Sequence, residues 1–313
     1  MKKIKKISII TPCFNEEENI FFCYESVKKI FIDLNNYDYE HIFIDNASND
    51  NSVPILKKIA GKDKKVKIII NSRNFGLSRS PYYGMLQMTG DAAIPIVADL
   101  QTPPSLIPKM ISKWEKGNKI VIAIRKSMKE GFLLRVIRNL FYELINKISK
   151  IEQSKHFIGY GLFDKKIIEV MKQFNDPTPY FRGIIYEIGF SKAYIEYDQP
   201  KRKYGNSKNN FFDLLELAFL GFTSYSTAPL RLMTLFGFVS SIISFILGLI
   251  YLIYKIIYWE NFEIGIAPII IGIFTFCSIQ MMFLGIIGEY IKLIVENVKK
   301  RPLVIEEERI NFE

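Results

Sequence analysis

The chain has no G-x-G-x-x-G after its first predicted strand and no G-x-x-x-x-G-K-[ST] at all, so neither the dinucleotide fingerprint nor the P-loop is available to cradle a phosphate. A bound nucleotide must therefore be gripped by side chains. Cysteine is scarce: Cys13, Cys23 and Cys277 form an odd set without C-x-x-C spacing, which excludes a disulfide framework and fits a reducing compartment. The two histidines, His41 and His156, lack metal-ligand spacing and read as structural. Aromatic residues are not interleaved with Lys and Arg as on a single-strand-binding platform, so nucleic acid is not an expected partner. The apolar run Ile7 to Phe14 is broken by Pro12 and followed by Glu16, Glu17 and Glu18, so it is a strand and not a signal peptide. Internal repeats and low-complexity segments are absent as well.

Charge is missing from two long stretches. From Leu232 to Tyr254 and again from Ile264 to Gly288 no residue is ionisable apart from Tyr and Cys, and each stretch exceeds the roughly 20 residues that cross a bilayer hydrocarbon core. The link between them, Lys255 to Glu263, is too short for a domain and carries Tyr258 and Trp259, an aromatic pair suited to a membrane interface. Arg231 precedes the first stretch, and Lys292, Lys299, Lys300 and Arg301 follow the second. The positive-inside rule thus puts both ends in the cytoplasm. The formal net charge of +10, clustered at Lys2, Lys3, Lys5 and Lys6 and at Lys201, Arg202, Lys203 and Lys208, points to anionic partners such as membrane lipids or phosphorylated substrates.

Ahead of the apolar stretches the pattern is that of an α/β domain with a mostly parallel sheet. Strands are expected at Lys6–Pro12, His41–Asp45, Val66–Asn71, Ala92–Ala98, Ile120–Ile124, Phe157–Phe163 and Ala193–Tyr197. Helices are expected over Glu17–Leu34, Asn51–Ala60, Leu77–Thr89, Ile107–Lys116 and Gly131–Ser149, and Phe211–Thr223 is amphipathic enough to lie in the headgroup region. The expected organisation is a catalytic domain over residues 1–208, an interfacial segment over 209–231, two transmembrane helices over 232–294 and a cytoplasmic tail over 295–313. The tail begins with a strand-like run, Arg301–Phe312, that could pair between subunits, so a homo-oligomer is among the expected assemblies.

In open α/β sheets ligands bind beyond the carboxyl ends of the strands, and polar residues gather there: Thr11, Asn15 and Glu16, then Asp45, Asn46 and Ser48, then Arg73 and Asn74, then Asp99 and Gln101. Asp45 is suited to hydrogen-bond a base or ribose. Asp99 and Gln101 offer oxygen ligands for a hard divalent cation facing a diphosphate.

Ile9–Glu18 (IITPCFNEEE), Phe43–Asn51 (FIDNASNDN), Ser72–Gly76 (SRNFG), Ala98–Pro104 (ADLQTPP), Phe181–Gly183 (FRG), Arg202–Lys208 (RKYGNSK) and Ser226–Arg231 (STAPLR) resemble, in order, the motifs of family 2 glycosyltransferases. They are most similar to the polyprenyl-phosphate branch, which includes dolichol-phosphate mannose synthases and bacterial members with two C-terminal membrane helices. The resemblance implies a GT-A fold, a nucleotide-diphosphate sugar as donor, Mg2+ or Mn2+ as cofactor and a polyprenyl phosphate as acceptor. It places Pro12, Asn15, Glu16 and Asp45 at the nucleotide, with Arg73 added to the donor site, and Asp99 and Gln101 at the metal and diphosphate.

Two departures from the family pattern stand out. Where relatives write D-A-D-L-Q-D, this chain has Val97 and Thr102 in place of the outer acids; and in Gly159–Asp164 (GYGLFD) the acid sometimes assigned as a base is replaced by Gly159, with Asp164 several positions on. A sugar hydroxyl needs a base to accept its proton, whereas a lipid monophosphate, with a second pKa near about 6, is already largely dianionic. The missing acid therefore favours a phosphate acceptor. Arg125 is grouped with Asp99 and Gln101 as catalytic, and Arg138, Arg202, Lys208 and Arg231 are assigned to the lipid phosphate. The expected activity is transfer of one sugar to polyprenyl phosphate, with inversion, by a multi-pass protein of the bacterial cytoplasmic membrane whose catalytic domain is cytoplasmic. The alternatives are a glycan-extending transferase that uses Asp164 or another acid as base, and a catalytically silent membrane scaffold of the same fold.

Overall fold

A computed structural model describes residues 4–126, 157–174, 176–200, 228–258 and 266–312. The strands are β1 (Lys5–Cys13), β2 (Tyr37–Asp45), β3 (Val66–Asn71), β4 (Ala92–Pro95), β5 (Ile120–Arg125), β6 (Phe157–Asp164), β7 (Lys192–Tyr197) and β8 (Glu306–Ile310). The α-helices are α1 (Glu17–Asp33), α2 (Ser52–Lys62), α3 (Gly76–Leu86), α4 (Ile107–Glu115), α5 (Lys165–Phe174), α6 (Phe181–Glu187), α7 (Ala228–Ile257) and α8 (Ile266–Lys299). The expected helix Gly131–Ser149, the amphipathic segment Phe211–Thr223, Trp259 and the lipid-phosphate candidates Arg138, Arg202 and Lys208 lie outside the described residues.

The strands form one sheet in the order β7-β5-β6-β4-β1-β2-β3-β8. The pairs β1–β2, β1–β4, β2–β3 and β5–β7 are parallel, and the pairs of β6 with β4 and β5 and of β8 with β3 are antiparallel. Alternation within the strands sends apolar side chains to both faces. Ile7 and Ile9 of β1 join α1 and α4 in one core cluster, while Ile10 joins α3, α5 and α6 in another on the opposite face. Helix α1 explains its own docking: Ile20, Cys23, Tyr24, Val27 and Phe31 recur at helical spacing and are buried, while Glu17 and Glu18 sit in the first turn where the helix dipole favours negative charge. The chain winds from β1 to β2 to β3 in one direction, then returns through α3 to place β4 on the other side of β1. That reversal opens a crevice at the carboxyl ends of β1 and β4.

Several boundaries differ from the sequence expectation. Strand β4 stops at Pro95, which has no N–H to donate, although Ile96 still donates to the Ile10 carbonyl at 2.8 Å. Helices α5 and α6 cover a region to which the sequence reading assigned no element. The tail strand pairs within the chain: β8 lies antiparallel on β3, with Asn71 opposite Glu306 and Ile68 opposite Ile310. It is fastened there by Lys57 on Glu308 at 2.5 Å and by Asn311 Nδ2 on the carbonyls of Ala60 and Val66 at 2.9 and 2.8 Å. The same strand that the sequence offered to a second subunit is thus used to close the sheet edge.

Helices α7 and α8 contain two spans, Leu232–Ile250 and Gly272–Lys299, with mean hydropathies of 2.2 and 1.5, long and apolar enough to cross a membrane and with no share buried inside the protein. Phe236 and Phe283 meet edge to face, with ring centroids 6.0 Å apart, where the two helices touch. Helix α8 runs on to Lys299, so the expected boundary at residue 294 falls inside it.

Candidate active site

The crevice is walled by three loops that bond to one another. After β1, Asn15 adopts a left-handed backbone (φ 53), which turns the chain toward β2; its N–H donates to Ser48 Oγ at 2.8 Å and its Oδ1 accepts from the Asn49 N–H at 2.7 Å. The Glu16 N–H donates to Ser52 Oγ at 2.9 Å, and the Glu16 carboxylate accepts from Asn19 Nδ2 at 2.6 Å. Glu17 binds both the backbone and the side-chain nitrogen of Asn51, at 2.9 and 2.8 Å. These reciprocal bonds fix the first two loops as one unit.

Asp45 ends β2 and is fully buried. Its carboxylate accepts from the Ser48 N–H at 2.9 Å and the Ser48 hydroxyl at 2.5 Å. Burial pushes its carboxyl up, the two Ser48 bonds oppose that, and the nearby Asp50 adds to it. The structure therefore gives Asp45 the work of shaping the loop. Pro12, half-buried in β1 opposite Ile44, faces the same crevice end of the sheet. Thr11 does not contribute there: it is buried and its hydroxyl pairs with His41 Nε2 at 2.9 Å, a correction to its placement among the strand-end ligand groups.

The sequence reading missed the role of Asn46. Its Nδ2 donates to Asn74 Oδ1 at 2.7 Å and to the Gly76 carbonyl at 3.3 Å, while its Oδ1 accepts from the Phe75 N–H at 2.9 Å and from Asn71 Nδ2 at 3.1 Å. One amide thereby ties the second loop to the third. Its place beside Asp45 in a run of Asn, Ser and Asp was the only available signal. Arg73, on that third loop, is exposed, stacks over the Phe75 ring at 4.1 Å and donates to the Asn74 carbonyl at 3.1 Å. At one strand spacing of about 4.8 Å, it stands roughly 14 Å along the sheet edge from the strand that carries Asp99.

Asp99 and Gln101 occupy the turn after β4. The Gln101 N–H donates to Asp99 Oδ1 at 3.0 Å, and between them Leu100 takes a left-handed conformation (φ 60). Their carboxylate and amide oxygens are hard donors, which fits a divalent cation that shares its shell with diphosphate oxygens and water. Among the described residues no group of three His, Cys, Asp or Glu could hold an ion by protein alone. Arg125 ends β5, two strands from β4 on the same edge, and donates from Nη1 to Gln199 Oε1 at 2.6 Å. Arg231 lies in the first turn of α7, apart from these loops in sequence.

Asp164 is on the wrong edge for a base. Strand β6 runs antiparallel to β4, and Asp164 pairs with Ala92, the first residue of β4, whereas Asp99 follows its last. Its carboxylate is taken up by Trp114 Nε1 at 2.7 Å, Lys119 Nζ at 2.9 Å and the Lys166 N–H at 3.0 Å. Burial would raise its carboxyl, but these bonds outweigh burial and lower it. Gly159, at the opposite end of β6, is on the crevice edge, and its φ of 97 is one that side chains rarely adopt.

A family model described as Glycosyl transferase family 2 matches residues 8–175. A protein of Escherichia coli (strain K12) named prophage bactoprenol glucosyl transferase homolog is 35% identical over 301 residues, 96% of this chain and 98% of its own. The bactoprenol glucosyl transferase of Shigella phage SfX is 35% identical over 298 residues, 95% of this chain and 97% of its own. Among solved structures, the mannosyltransferase PcManGT from Pyrobaculum calidifontis, in complex with GDP-Man and Mn2+, aligns with a TM-score of 0.44 at 14% identity over 65% of this chain and 59% of that one. With the family model covering more than half of the chain and relatives at this identity matching nearly end to end, the chain belongs to glycosyl transferase family 2 and is a glycosyltransferase.

Proposed function

We propose that this glycosyltransferase moves one sugar from a nucleotide-diphosphate sugar to polyprenyl phosphate at the cytoplasmic face of a membrane, with inversion. The observation that carries this reading is where the apolar hairpin rejoins the domain. Past α8 the Ile305 carbonyl accepts from the Ser72 N–H at 2.9 Å, one residue beyond the carboxyl end of β3, so the tail arrives at the same sheet edge as Asp45, Asp99 and Arg125. An acceptor resident in the bilayer is thereby brought to the edge where the donor loops stand. Relatives named for bactoprenol support a polyprenol-linked acceptor and make glucose the first sugar to test. Lys292, Lys299, Lys300 and Arg301 support a cytoplasmic placement of that edge.

In this mechanism the loops of Pro12, Asn15, Glu16 and Asp45 receive the nucleotide, with Asn15 and Asp45 acting through the loop they hold, and Arg73 reaches its outer part. Asp99 and Gln101 hold the diphosphate end, where a divalent cation, when bound, supplies positive charge against the leaving group. An oxygen of the acceptor phosphate forms a bond to the anomeric carbon as the bond from that carbon to the diphosphate oxygen breaks, and the nucleoside diphosphate departs with the electron pair. The dianionic nucleophile has no proton to lose, in keeping with Gly159 at the base position and Asp164 on the far edge. Arg125, on the crevice edge, offsets charge building on the diphosphate. Arg138, Arg202, Lys208 and Arg231 are assigned to the acceptor phosphate.

The test is to incubate membranes containing the protein with labelled nucleotide sugars and undecaprenyl phosphate. A labelled lipid that mild acid cleaves is expected, and the free alcohol should give none. A product stable to mild acid would instead assign the glycan-extending activity.

A further inference from the structure

The Asp99 turn is held from two sides by residues outside the acidic pattern. Thr102 is 2% exposed, and its Oγ1 accepts from the Val97 N–H at 2.9 Å, closing the turn across its base. The Leu100 N–H donates to the Val97 carbonyl at 3.2 Å inside the same loop. Tyr160, a fully buried residue of β6, donates its hydroxyl to the Pro103 carbonyl at 2.6 Å, immediately after Thr102. Its ring meets that of Tyr197 edge to face at 5.6 Å, and Tyr197 ends β7 directly opposite Arg125. A left-handed residue without glycine's freedom persists only where its surroundings over-determine it, and Leu100 between Asp99 and Gln101 is such a residue.

We propose that Thr102 and Tyr160 are positioning residues that hold the Asp99–Gln101 turn in the geometry needed to receive a cation and a diphosphate. Thr102 thus serves as a hydrogen-bond acceptor at a position where the family's pattern has an acid, and Tyr160 joins the turn to the strands that carry Arg125. The inference rests on the reading of Asp99 and Gln101 as the diphosphate end of the site. Valine at 102 is close in shape to threonine but cannot accept from the Val97 N–H. Serine and aspartate can. Phenylalanine at 160 keeps the ring and removes only the bond to Pro103.

The experiment uses the full chain in detergent and compares Thr102→Val, Thr102→Ser, Thr102→Asp and Tyr160→Phe. Mn2+ binding is followed by the free-ion electron paramagnetic resonance signal with UDP present, or GDP where UDP does not bind, alongside kcat and the KM for donor and acceptor. Because small misplacements in a site cost large factors in rate, Thr102→Val and Tyr160→Phe should weaken Mn2+ binding roughly fivefold and lower kcat roughly tenfold with the acceptor KM unchanged. Serine and aspartate at 102 should restore both to within about twofold of the parent. Parent-like Mn2+ binding and kcat in valine and phenylalanine variants would overturn the proposal. So would aspartate binding Mn2+ far more tightly than the parent, since the position would then be a ligand site. Full activity of Asp99→Asn in the same assay would remove the reading beneath it and the inference together.

Discussion

Arg79 of α3 and Glu296 of α8 form an ion pair at 3.9 Å, which joins the first turn of a site-flanking helix to the extension of the second apolar helix. Glu296 lies about eight residues past the last uncharged position, Gly288, or roughly 12 Å along a helix, against a headgroup layer of about 5–8 Å. On the membrane placement proposed above, the crevice edge stands just outside the headgroups, at a height set by α8 and by the β8 strand that follows it. Four residues inserted after Glu289 should lift the site by about 6 Å and turn it by about 40°. Transfer to polyprenyl phosphate embedded in a bilayer should then fall at least roughly tenfold, while transfer to a short, water-soluble analogue changes little. Equal activity on both acceptors would remove the role of height. Arg79→Ala alone should matter less, since partly exposed pairs are worth about 0.2–1 kcal/mol and β8 remains in place.

Acid should unfold the domain through two buried groups at the other end of the sheet. Glu40 is 1% exposed and accepts from Ser8 Oγ at 2.5 Å, Lys67 Nζ at 2.7 Å and both the N–H and hydroxyl of Thr89 at 2.7 Å. Burial would raise its carboxyl, but the bonds from Lys67, Ser8 and Thr89 prevail and lower it from 4.5 to about 2. Its contribution, on the order of 3 kcal/mol, is complete above its unfolded value and is lost as pH falls toward the folded one. His41 is buried neutral, and burial pushes its imidazole from 6.5 down to about 3. Below its ordinary value the unfolded chain gains a proton that the fold refuses, so stability declines there too. The thermal midpoint in detergent should fall steadily from about pH 6.5 downward, and His41→Gln should flatten the upper part of that decline. Glu40→Gln should cost about 3–5 kcal/mol by leaving Lys67 buried and unpaired.

The strands β1, β2, β3 and β5 were legible because each is a short β-branched run bounded by turn residues, and helix α1 because its apolar spacing is unbroken. What the sequence could not carry was partnership. Arg301–Phe312 reads as a strand-forming segment, but whether it pairs with β3 of its own chain or with another copy depends on where α8 ends. Asp45 and Asn15 read as ligand groups because Asp and Asn at strand ends serve both ligands and turns, and only the folded structure shows them engaged by Ser48 and Asn49. Asp164 followed Gly159 closely enough to look like a displaced base, yet the antiparallel run of β6 carries it to the opposite edge. The role of Thr102 was hidden for a similar reason, since its distance from Val97 is a property of the turn.

Asp99 should be indispensable to turnover and dispensable to the fold. It is half-buried in a turn after β4, outside the core clusters, so Asp99→Asn removes negative charge with little loss of packing. A fall in kcat of roughly 10²–10³ is expected, the usual scale for losing a group that stabilises developing charge. A chelator should reproduce the loss in the parent, and added Mn2+ or Mg2+ should reverse it. Undiminished turnover in the chelator would eliminate the cation from the mechanism.

Asp164 offers the sharpest separation between a phosphate acceptor and a sugar acceptor. Were a sugar hydroxyl the nucleophile, a carboxylate would have to accept its proton, and replacing that carboxylate by its amide would cut kcat by roughly 10²–10⁴. Asp164 is instead bound to Trp114, Lys119 and the Lys166 N–H beside Ala92, at the end of the sheet away from Asp99. Asp164→Asn keeps an oxygen that can still accept from Trp114 but loses the charge that faces Lys119. Stability should fall by about 1–3 kcal/mol through weakened charge-assisted bonds. Below the new melting temperature, kcat for transfer to polyprenyl phosphate should stay within about threefold of the parent, because a dianion has no proton to surrender. A loss of a hundredfold or more, at a temperature where the variant is fully folded, would restore Asp164 as a base and the sugar hydroxyl as the acceptor.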